Sequence, residues 1–253
     1  MAGRIRAELG DEQEWEFGKR FLGGDRSDLD FHLAAALDTT PTKMSAHDKH
    51  LAATDPRFAA LILRAKPFAP RGDVPVRPFD ALAESIAYQQ LSGKAAATIW
   101  GRVRALYGKR KWLDPRQVLA TPDETLRACG LSGAKTAALK DLAAKTLDGT
   151  VPRTGTALAA LSDAEIIERL TAVRGIGRWT VEMLLLFDLG RPDVWPVTDL
   201  GVQKGYAKTF GKRKLPKPKE LQRIGEKWRP HRSAAAWYFW RALDLAADGA
   251  NRS

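Results

Sequence analysis

The sequence predicts an all-α fold, and three observations lead to this prediction. Apolar residues recur three and four positions apart along much of the 253-residue chain, which is the period of an amphipathic helix. Capping residues stand before several of these stretches, and glycines follow them. Alternation of apolar and polar residues, the pattern of a half-buried strand, is almost absent, and there is no internal repeat. We therefore expect roughly ten helices joined by short links.

The helices can be placed in order from Ala46 onward. The first clear one opens at Asp55-Pro56, with proline at the favoured first helical position. Glycines or prolines separate the later ones. Their approximate spans are Asp80–Gln90, Lys94–Tyr107, Thr121–Gly130, Ser132–Leu147, Ser162–Val173, Trp179–Phe187, Asp199–Phe210, Lys219–Trp228 and His231–Ala247.

Three of the later helices also carry a recognisable start signal. Ser162 with Glu165 and Thr121 with Glu124 both have the spacing of a capping box. Thr198 is in position to cap the helix that begins at Asp199.

Composition limits the class of protein and its partners. The 41 Lys and Arg residues exceed the 30 acidic residues by 11, and the isoelectric point of about 9.9 favours a polyanionic partner. The single cysteine, Cys129, excludes an intramolecular disulfide and a cysteine-ligated metal or iron–sulfur cluster. No apolar run is long enough to span a membrane, and the N-terminus lacks the apolar core of a signal peptide. We expect a cytoplasmic protein, in the nucleoid, without membrane contact.

Residues 1–45 form an N-terminal extension, rich in charged residues and interrupted by glycine and proline. Leu29, Phe31, Leu33 and Leu37 are the apolar residues with which part of it can pack. A partly ordered extension and a docked arm both remain open. Met44 is a candidate alternative translation start.

A short glycine-containing turn lies at the centre of the functional argument. Arg174-Gly175-Ile176-Gly177 interrupts two helices, and its two glycines permit a tight turn with positive φ. They also leave backbone N–H groups uncovered, so a phosphate can approach them and the N-terminus of the second helix.

Asp199 is the candidate catalytic residue. Its carboxylate lies at the start of a helix, where the helix dipole and the free amides favour the charged form. Such a carboxylate suits stabilisation of an oxocarbenium-like sugar, the cation that develops when a glycosidic bond breaks. An aspartate that only caps the helix is the other interpretation, and the residue alone does not distinguish them.

These two segments together resemble the helix–hairpin–helix DNA glycosylase superfamily. The chain carries L-x-x-V-x-G-I-G-x-W-T from Leu170 to Thr180 and W-P-x-x-D-L-G from Trp195 to Gly201. The nearest branch is that of 3-methyladenine DNA glycosylase II, which acts on alkylated bases. The resemblance covers about residues 46–248. It implies a two-lobed all-α glycosylase domain, with a central lobe of about 80–190, a second lobe of about 46–79 plus 191–248, and the active-site cleft between them.

The activity that the resemblance implies is excision of alkylated purines, of the 3-methyladenine type, from duplex DNA. The enzyme would flip the base and hydrolyse the N-glycosidic bond, with Asp199 as catalytic residue, in base excision repair. Trp179 stands where bifunctional relatives carry a Schiff-base lysine, which implies no AP lyase activity. Two alternatives remain: a glycosylase for another base lesion, and a non-catalytic helix–hairpin–helix DNA-binding protein.

The resemblance also implies roles for further residues. The DNA backbone would contact Gly175, Gly177, Arg174 and Arg178. Backbone carbonyls of Thr171, Val173 and Ile176 would hold a monovalent cation, Na⁺ or K⁺. The base pocket would include Trp179, Trp240, Met183 and Leu200, the last two standing where some relatives carry aromatic residues. Gln90 and Leu91 match the wedge that fills the gap left by the flipped nucleotide.

The remaining expectations concern supporting residues and partners. Arg232 would hold the catalytic helix in place. A basic run follows that helix, for which a solvated loop and a phosphate contact are both open; it comprises Lys208, Lys212, Arg213, Lys214, Lys217 and Lys219. We expect a monomer that binds damaged double-stranded DNA and requires no cofactor and no iron–sulfur cluster.

Overall fold

The computed structural model describes residues 44–70, 76–108 and 112–250. Every regular element in these ranges is helical, which confirms the predicted all-α class. Nearly all of the N-terminal extension lies outside the described residues. The choice between a partly ordered extension and a docked arm falls on these residues too. Among the helices within the three ranges, none is long and apolar enough to cross a membrane.

The α-helices are numbered here in chain order, and short π-helical and 3₁₀ segments extend two of them. They are α1 (Ala46–Thr54), α2 (Pro56–Ile62), α3 (Pro78–Tyr88), α4 (Gly93–Ala105), α5 (Pro115–Ala120), α6 (Asp123–Ala128), α7 (Gly133–Leu147), α8 (Gly155–Ala159), α9 (Asp163–Thr171), α10 (Arg178–Met183), α11 (Leu200–Thr209), α12 (Pro218–Gly225) and α13 (Arg232–Ala250). The π-helical segment Leu184–Asp188 continues α10, and the 3₁₀ segment Glu226–Trp228 continues α12.

The chain forms two compact units. Of the described residues, those between 76 and 189 form the first unit, and 44–70 with 190–250 form the second. In the first unit α7 packs against α3 and α5, and α9 packs against α10. The side chains that fill its interior are almost completely buried; they include Leu82, Ile86, Leu126, Leu139, Leu142, Leu158 and Ile166.

The second unit is built around the contact between α11 and α13. At Gly205 a Cβ atom would overlap the backbone carbonyl of Phe239, so only glycine lets the two helices approach this closely. Beside this contact lies a buried aromatic cluster, in which the ring centroids of Trp228 and Phe239 are 5.2 Å apart. Phe58 of α2 joins the cluster at 5.2 Å from Phe239. Rings of this size supply much of the apolar area that the unit buries.

The start signals were only partly correct. The capping box at Ser162 is confirmed, because its Oγ accepts from the N–H of Glu165 and its own N–H donates to the Glu165 carboxylate. The one expected at Thr121 is wrong. Thr121 is the C-cap of α5, and its hydroxyl donates to the carbonyl of Gln117, four residues back. α6 begins after Pro122 without a side-chain cap.

Two helices and one distortion carried no usable sequence signal. α5 and α8 have six and five residues, too few for a helical period to show. In the π-helical segment the N–H of Leu189 donates to the carbonyl of Leu184, five residues back. Such segments occur mostly as single turns inside α-helices.

Candidate active site

Asp199 is the N-cap of α11, and one of its carboxylate oxygens is fixed by two donors. Oδ1 accepts from the backbone N–H of Val202 at 2.6 Å and from the indole Nε1–H of Trp240 at 2.9 Å. The residue is only 6% exposed. Hydrogen bonds to a carboxylate are stronger than those between neutral groups, particularly where little water competes. The orientation of this carboxylate is therefore set by both α11 and α13.

The sequence prediction for this helix start needs one correction. Thr198 does not cap α11: the helix begins at Leu200, and the cap is Asp199 itself. A threonine before an aspartate offers two candidate caps, and the aspartate accepts from the third residue of the helix, Val202.

Gly201 leaves the space in which the indole of Trp240 reaches Asp199. A Cβ atom at this position would lie 2.7 Å from Cδ1 and 2.8 Å from Nε1 of Trp240. It would also lie 3.1 Å from Oδ1 of Asp199. The sequence motif contains this glycine, but its spatial reason is visible only in the folded chain.

The segment that leads to Asp199 is tied to the start of α13. Nε and Nη2 of Arg232 donate to the two carboxylate oxygens of Asp193 at 2.7 and 2.9 Å, a bidentate pair. The hydroxyl of Ser233 donates to the carbonyl of Arg191 and accepts from the N–H of Val194. Arg232 thus anchors the chain six residues before Asp199, and its expected positioning role stays a prediction.

Trp195, in the same segment, is held by α12 and by the 3₁₀ segment that follows it. Its indole N–H donates to the carbonyl of Leu221 at 2.9 Å, and its ring lies 5.3 Å from that of Trp228. At Gly225 a Cβ atom would overlap this indole. Because Asp193 and Trp195 are both held by other parts of the second unit, the N-terminus of α11 starts from a fixed position.

The glycine turn between α9 and α10 has the tight geometry that its sequence predicts. Gly175 has a φ of +76°, and the N–H of Ile176 donates to the carbonyl of Val173 at 3.1 Å. Gly177 is the N-cap of α10, and a Cβ atom there would meet nothing within 4 Å. Its backbone is therefore open to approach from outside the turn.

Two polar side chains outside the turn hold it in place. Nε2 of Gln89 donates to the carbonyl of Gly175 at 2.7 Å. Oδ2 of Asp141 accepts from the N–H of Arg174 at 2.7 Å, and its Oδ1 accepts from Lys145. Partial burial raises the pKa of Asp141, but these two donors bring it below its ordinary value. The carboxylate is consequently charged, and it binds the turn, over the whole neutral range.

The four residues expected at the DNA backbone all lie at this turn. Two are glycines, and the two arginines differ in their contacts. Arg174 is exposed. That of Arg178, also exposed, pairs with Glu182 one helical turn later, with Nε 2.9 Å from Oε1. A guanidinium held in this way is directed along α10.

The expected wedge lies at the junction of α3 and α4, next to Gln89. Gln90 is exposed and has a φ of +55°, the one non-glycine residue with positive φ in the described ranges. Leu91 is partly exposed rather than buried. A left-handed residue of this type costs conformational energy and is often found at functional sites. The bond from Gln89 to Gly175 links this junction to the glycine turn, a link that no sequence pattern showed.

The four expected base-pocket residues divide between the two units. Trp179, partly exposed, and Met183, buried, lie on α10 in the first unit. Leu200, partly exposed, and Trp240, buried, belong to the second unit. Of these four residues, Trp240 contacts Asp199, and Leu200 directly follows Asp199 in the chain. Their assignment to a base pocket stays a prediction.

The carbonyls expected to hold a monovalent cation lie around the same turn. Thr171 ends α9, and Val173 and Ile176 are joined by the turn hydrogen bond. A carbonyl oxygen has two lone pairs, so that of Val173 can ligate a cation while it accepts this bond. The donor set fits a hard cation. Among the described side chains, no group of three or more His, Cys, Asp or Glu could hold a metal ion.

The basic run after α11 is exposed, and its first residue lies at the end of α11 opposite to Asp199. Its lysines and arginine begin at Lys208, in the last turn of α11, whereas Asp199 caps the first turn. A helix of ten residues is about 15 Å long. Lys208 is therefore separated from Asp199 by about the length of α11.

Comparisons with known proteins agree on one family. The model of the HhH-GPD superfamily of base excision DNA repair proteins matches residues 83–231. DNA-3-methyladenine glycosylase 1 of Schizosaccharomyces pombe is 36% identical over 81% of this chain and 90% of its own length. The structure of the S. pombe 3-methyladenine DNA glycosylase in complex with abasic DNA matches with a TM-score of 0.71 at 36% identity, covering 80% of this chain and 98% of that one. The structure of DNA-3-methyladenine glycosidase from Bacillus halodurans matches with a TM-score of 0.70 at 35% identity, covering 81% of this chain and 92% of that one.

The bond between Trp240 and Asp199 can be weighed against a matched bond in the same helix. Trp240→Phe keeps an aromatic ring but removes the N–H group that donates to Asp199. Because the acceptor is a carboxylate, we expect the variant to lower the free energy of unfolding by about 1.5–3 kcal/mol. Trp237→Phe removes a bond of the same 2.9 Å length to the neutral carbonyl of Lys66 and should cost only about 0.5–1.5 kcal/mol. Urea denaturation measures the free energy of unfolding of both variants. An equal loss in the two, or a larger loss for Trp237→Phe, would contradict a hydrogen bond from Trp240 to a charged carboxylate.

Proposed function

Because the chain belongs to the HhH-GPD superfamily of base excision DNA repair proteins, we propose that it is a DNA glycosylase that excises alkylated purines from duplex DNA. The similar enzymes of S. pombe and B. halodurans are both named for 3-methyladenine, which supports this lesion class. The structural observation that carries the proposal is the carboxylate of Asp199, buried and oriented by two N–H donors. A carboxylate placed in this way can stabilise a developing positive charge.

The reaction breaks the bond between the sugar C1′ and the purine nitrogen. The bonding electron pair leaves with the base, and positive charge develops on C1′ and the ring oxygen. The carboxylate of Asp199, held at Oδ1 by Val202 and Trp240, is proposed to face this charge. Water then adds its hydroxyl to C1′ and loses one proton, which leaves an abasic sugar and a free base.

The proposed substrate class explains why one carboxylate is enough. Glycosidases that cleave neutral leaving groups use a second carboxyl group to protonate the departing atom. A purine alkylated at a ring nitrogen is already cationic and leaves as a neutral base. Asp199 then needs only to stabilise the sugar and orient the water.

The glycine turn is proposed to hold the DNA backbone. Gly175 and Gly177 bring no side chain between their N–H groups and an approaching phosphate, and Arg174 adds an exposed positive charge. Carbonyls of Thr171, Val173 and Ile176 would hold a Na⁺ or K⁺ ion, whose charge adds attraction for the phosphate. Gln90, held next to the turn through Gln89, is proposed to fill the gap left by the flipped nucleotide.

We expect Asp199→Asn to leave folding intact, because asparagine caps a helix about as well and can still accept from Val202 and Trp240. Base release should fall about 100-fold or more, since the negative charge is lost. Single-turnover release from DNA containing 3-methyladenine or 7-methylguanine measures this. Asp55→Asn, which changes the cap of α2, is the control and should release base normally.

Base-release assays also distinguish the proposed enzyme from the two alternatives, a non-catalytic DNA-binding protein and a glycosylase for another base lesion. Normal base release by the Asp199→Asn variant would leave Asp199 as a cap alone and contradict the proposal. A wild-type chain that binds DNA but releases no alkylated base would indicate the non-catalytic binding protein. Release of an oxidised or mismatched base instead would indicate a glycosylase for another lesion.

Gly177→Trp tests the proposed role of the glycine turn. A Cβ atom at this position would meet nothing within 4 Å, so we expect the fold to be kept while the indole blocks the path to the backbone amides. DNA affinity should fall ~10-fold or more, to a similar extent for damaged and undamaged duplexes. Gly133→Trp, at another open glycine of the same unit, is the control. Unchanged affinity of the Gly177 variant in a fluorescence-anisotropy titration would argue against this contact.

We propose that base removal is not followed by strand cleavage, since Trp179 has no amine to form an imine with the sugar. Borohydride reduction during the reaction should therefore trap no covalent protein–DNA complex, and the abasic product should remain intact until alkali is added. A trapped complex, or a cleaved strand before alkali, would show an AP lyase.

A further inference from the structure

The second unit carries a groove that includes none of the residues proposed for the active site. It has a volume of about 380 Å³ and lies where α2, the end of α11 and α13 meet. Its floor is apolar: Leu61 and Ala242 are buried, and Leu245 is partly exposed. Lys208 lines it at the C-terminal end of α11, whereas Asp199 caps the other end of that helix.

The rim of the groove is positively charged. Arg57, Arg64 and Lys208 line it, and none of the lining residues is acidic. Arg57 is held by Asp55, with Nη2 2.8 Å from Oδ2. Among the described residues neither Arg64 nor Lys208 has a carboxylate partner, so these two cations carry the uncompensated charge. An apolar floor under a basic rim selects an acidic segment with apolar side chains along one face.

Such a segment occurs in this same chain, between residues 25 and 38. Its leucines, Leu29, Leu33 and Leu37, are four residues apart and would share one face of a helix. Asp28 and Asp30, on either side of Leu29, would lie along the two edges of that face. Four aspartates against one arginine give the segment a net charge of −3 with histidine neutral, opposite in sign to the rim.

The connection to the groove is short enough for docking within one molecule. Residues 39–45 separate the segment from α1, and seven extended residues span roughly 23–25 Å. α1 packs directly against α2, which forms one wall of the groove. Attachment at this distance gives the segment a high effective concentration.

We propose that residues 25–38 dock as an amphipathic helix in the groove formed by α2, α11 and α13. The leucines contact Leu61, Ala242 and Leu245, and the aspartates face Arg64 and Lys208. DNA is the alternative occupant of a basic surface, but the apolar floor offers nothing to a phosphate.

Amide hydrogen exchange on the full-length chain tests the proposal. Amides of residues 29–37 should exchange at least ~10-fold more slowly in the wild type than in the double variant R64E/K208E, which reverses the charge of the rim. Adding D28K/D30K to that variant should restore slow exchange, because the charges are complementary again. K214E, which changes an exposed lysine outside the groove, is the control and should leave the exchange unchanged.

A photo-crosslinking amino acid at position 33 gives an independent readout. Cross-links to residues 57–64 or 242–245 support docking, and cross-links only elsewhere overturn it. Equal exchange rates in the wild type and R64E/K208E also overturn it. Weaker DNA binding by R64E/K208E with unchanged exchange of residues 29–37 would assign the groove to DNA and reject the docked segment.

Discussion

The structure depends on one oxygen atom, Oδ1 of Asp199, accepting hydrogen bonds from two helices at once. The N–H of Val202 comes from α11, which the aspartate caps, and the indole N–H of Trp240 comes from α13. Both donors reach the same atom only if the two helices lie unusually close. Gly201 makes room for the indole, and Gly205 makes room for the backbone of α13. Arg232 then holds the chain that leads into α11 through its bidentate pair with Asp193.

Capping and catalysis are compatible in this arrangement, although the sequence presents them as alternatives. A carboxylate has two oxygens, and the cap uses one of them. The bonds to Oδ1 restrict rotation of the carboxylate and stabilise its negative charge. Preorganisation of this kind lowers the reorganisation that a charged transition state would otherwise require. The structural role of Asp199 is thus compatible with its proposed chemical role.

Local signals in the sequence predicted the helical class and many helix starts, because caps and helical periods involve residues only a few positions apart. The Ser162 cap and the Gly175 turn are of this kind. Where two neighbouring residues can both cap, as at Thr198 and Asp199, the local pattern is ambiguous. Contacts between distant residues were not predictable: Trp240 lies 41 positions from Asp199, and Gln89 lies 86 from Gly175. Such contacts depend on how helices pack, which no single stretch of sequence specifies.

We propose that Asp199 stabilises positive charge on the deoxyribose. The most direct test of this claim is the affinity for two DNA duplexes that differ in one ring: a cationic pyrrolidine or a neutral tetrahydrofuran in place of the sugar of the damaged nucleotide. A site complementary to the transition state binds the charged mimic more tightly. We expect the wild type to prefer the pyrrolidine duplex by ~100-fold or more and the D199N variant to lose most of that preference. Equal preference in the two proteins would contradict the claim.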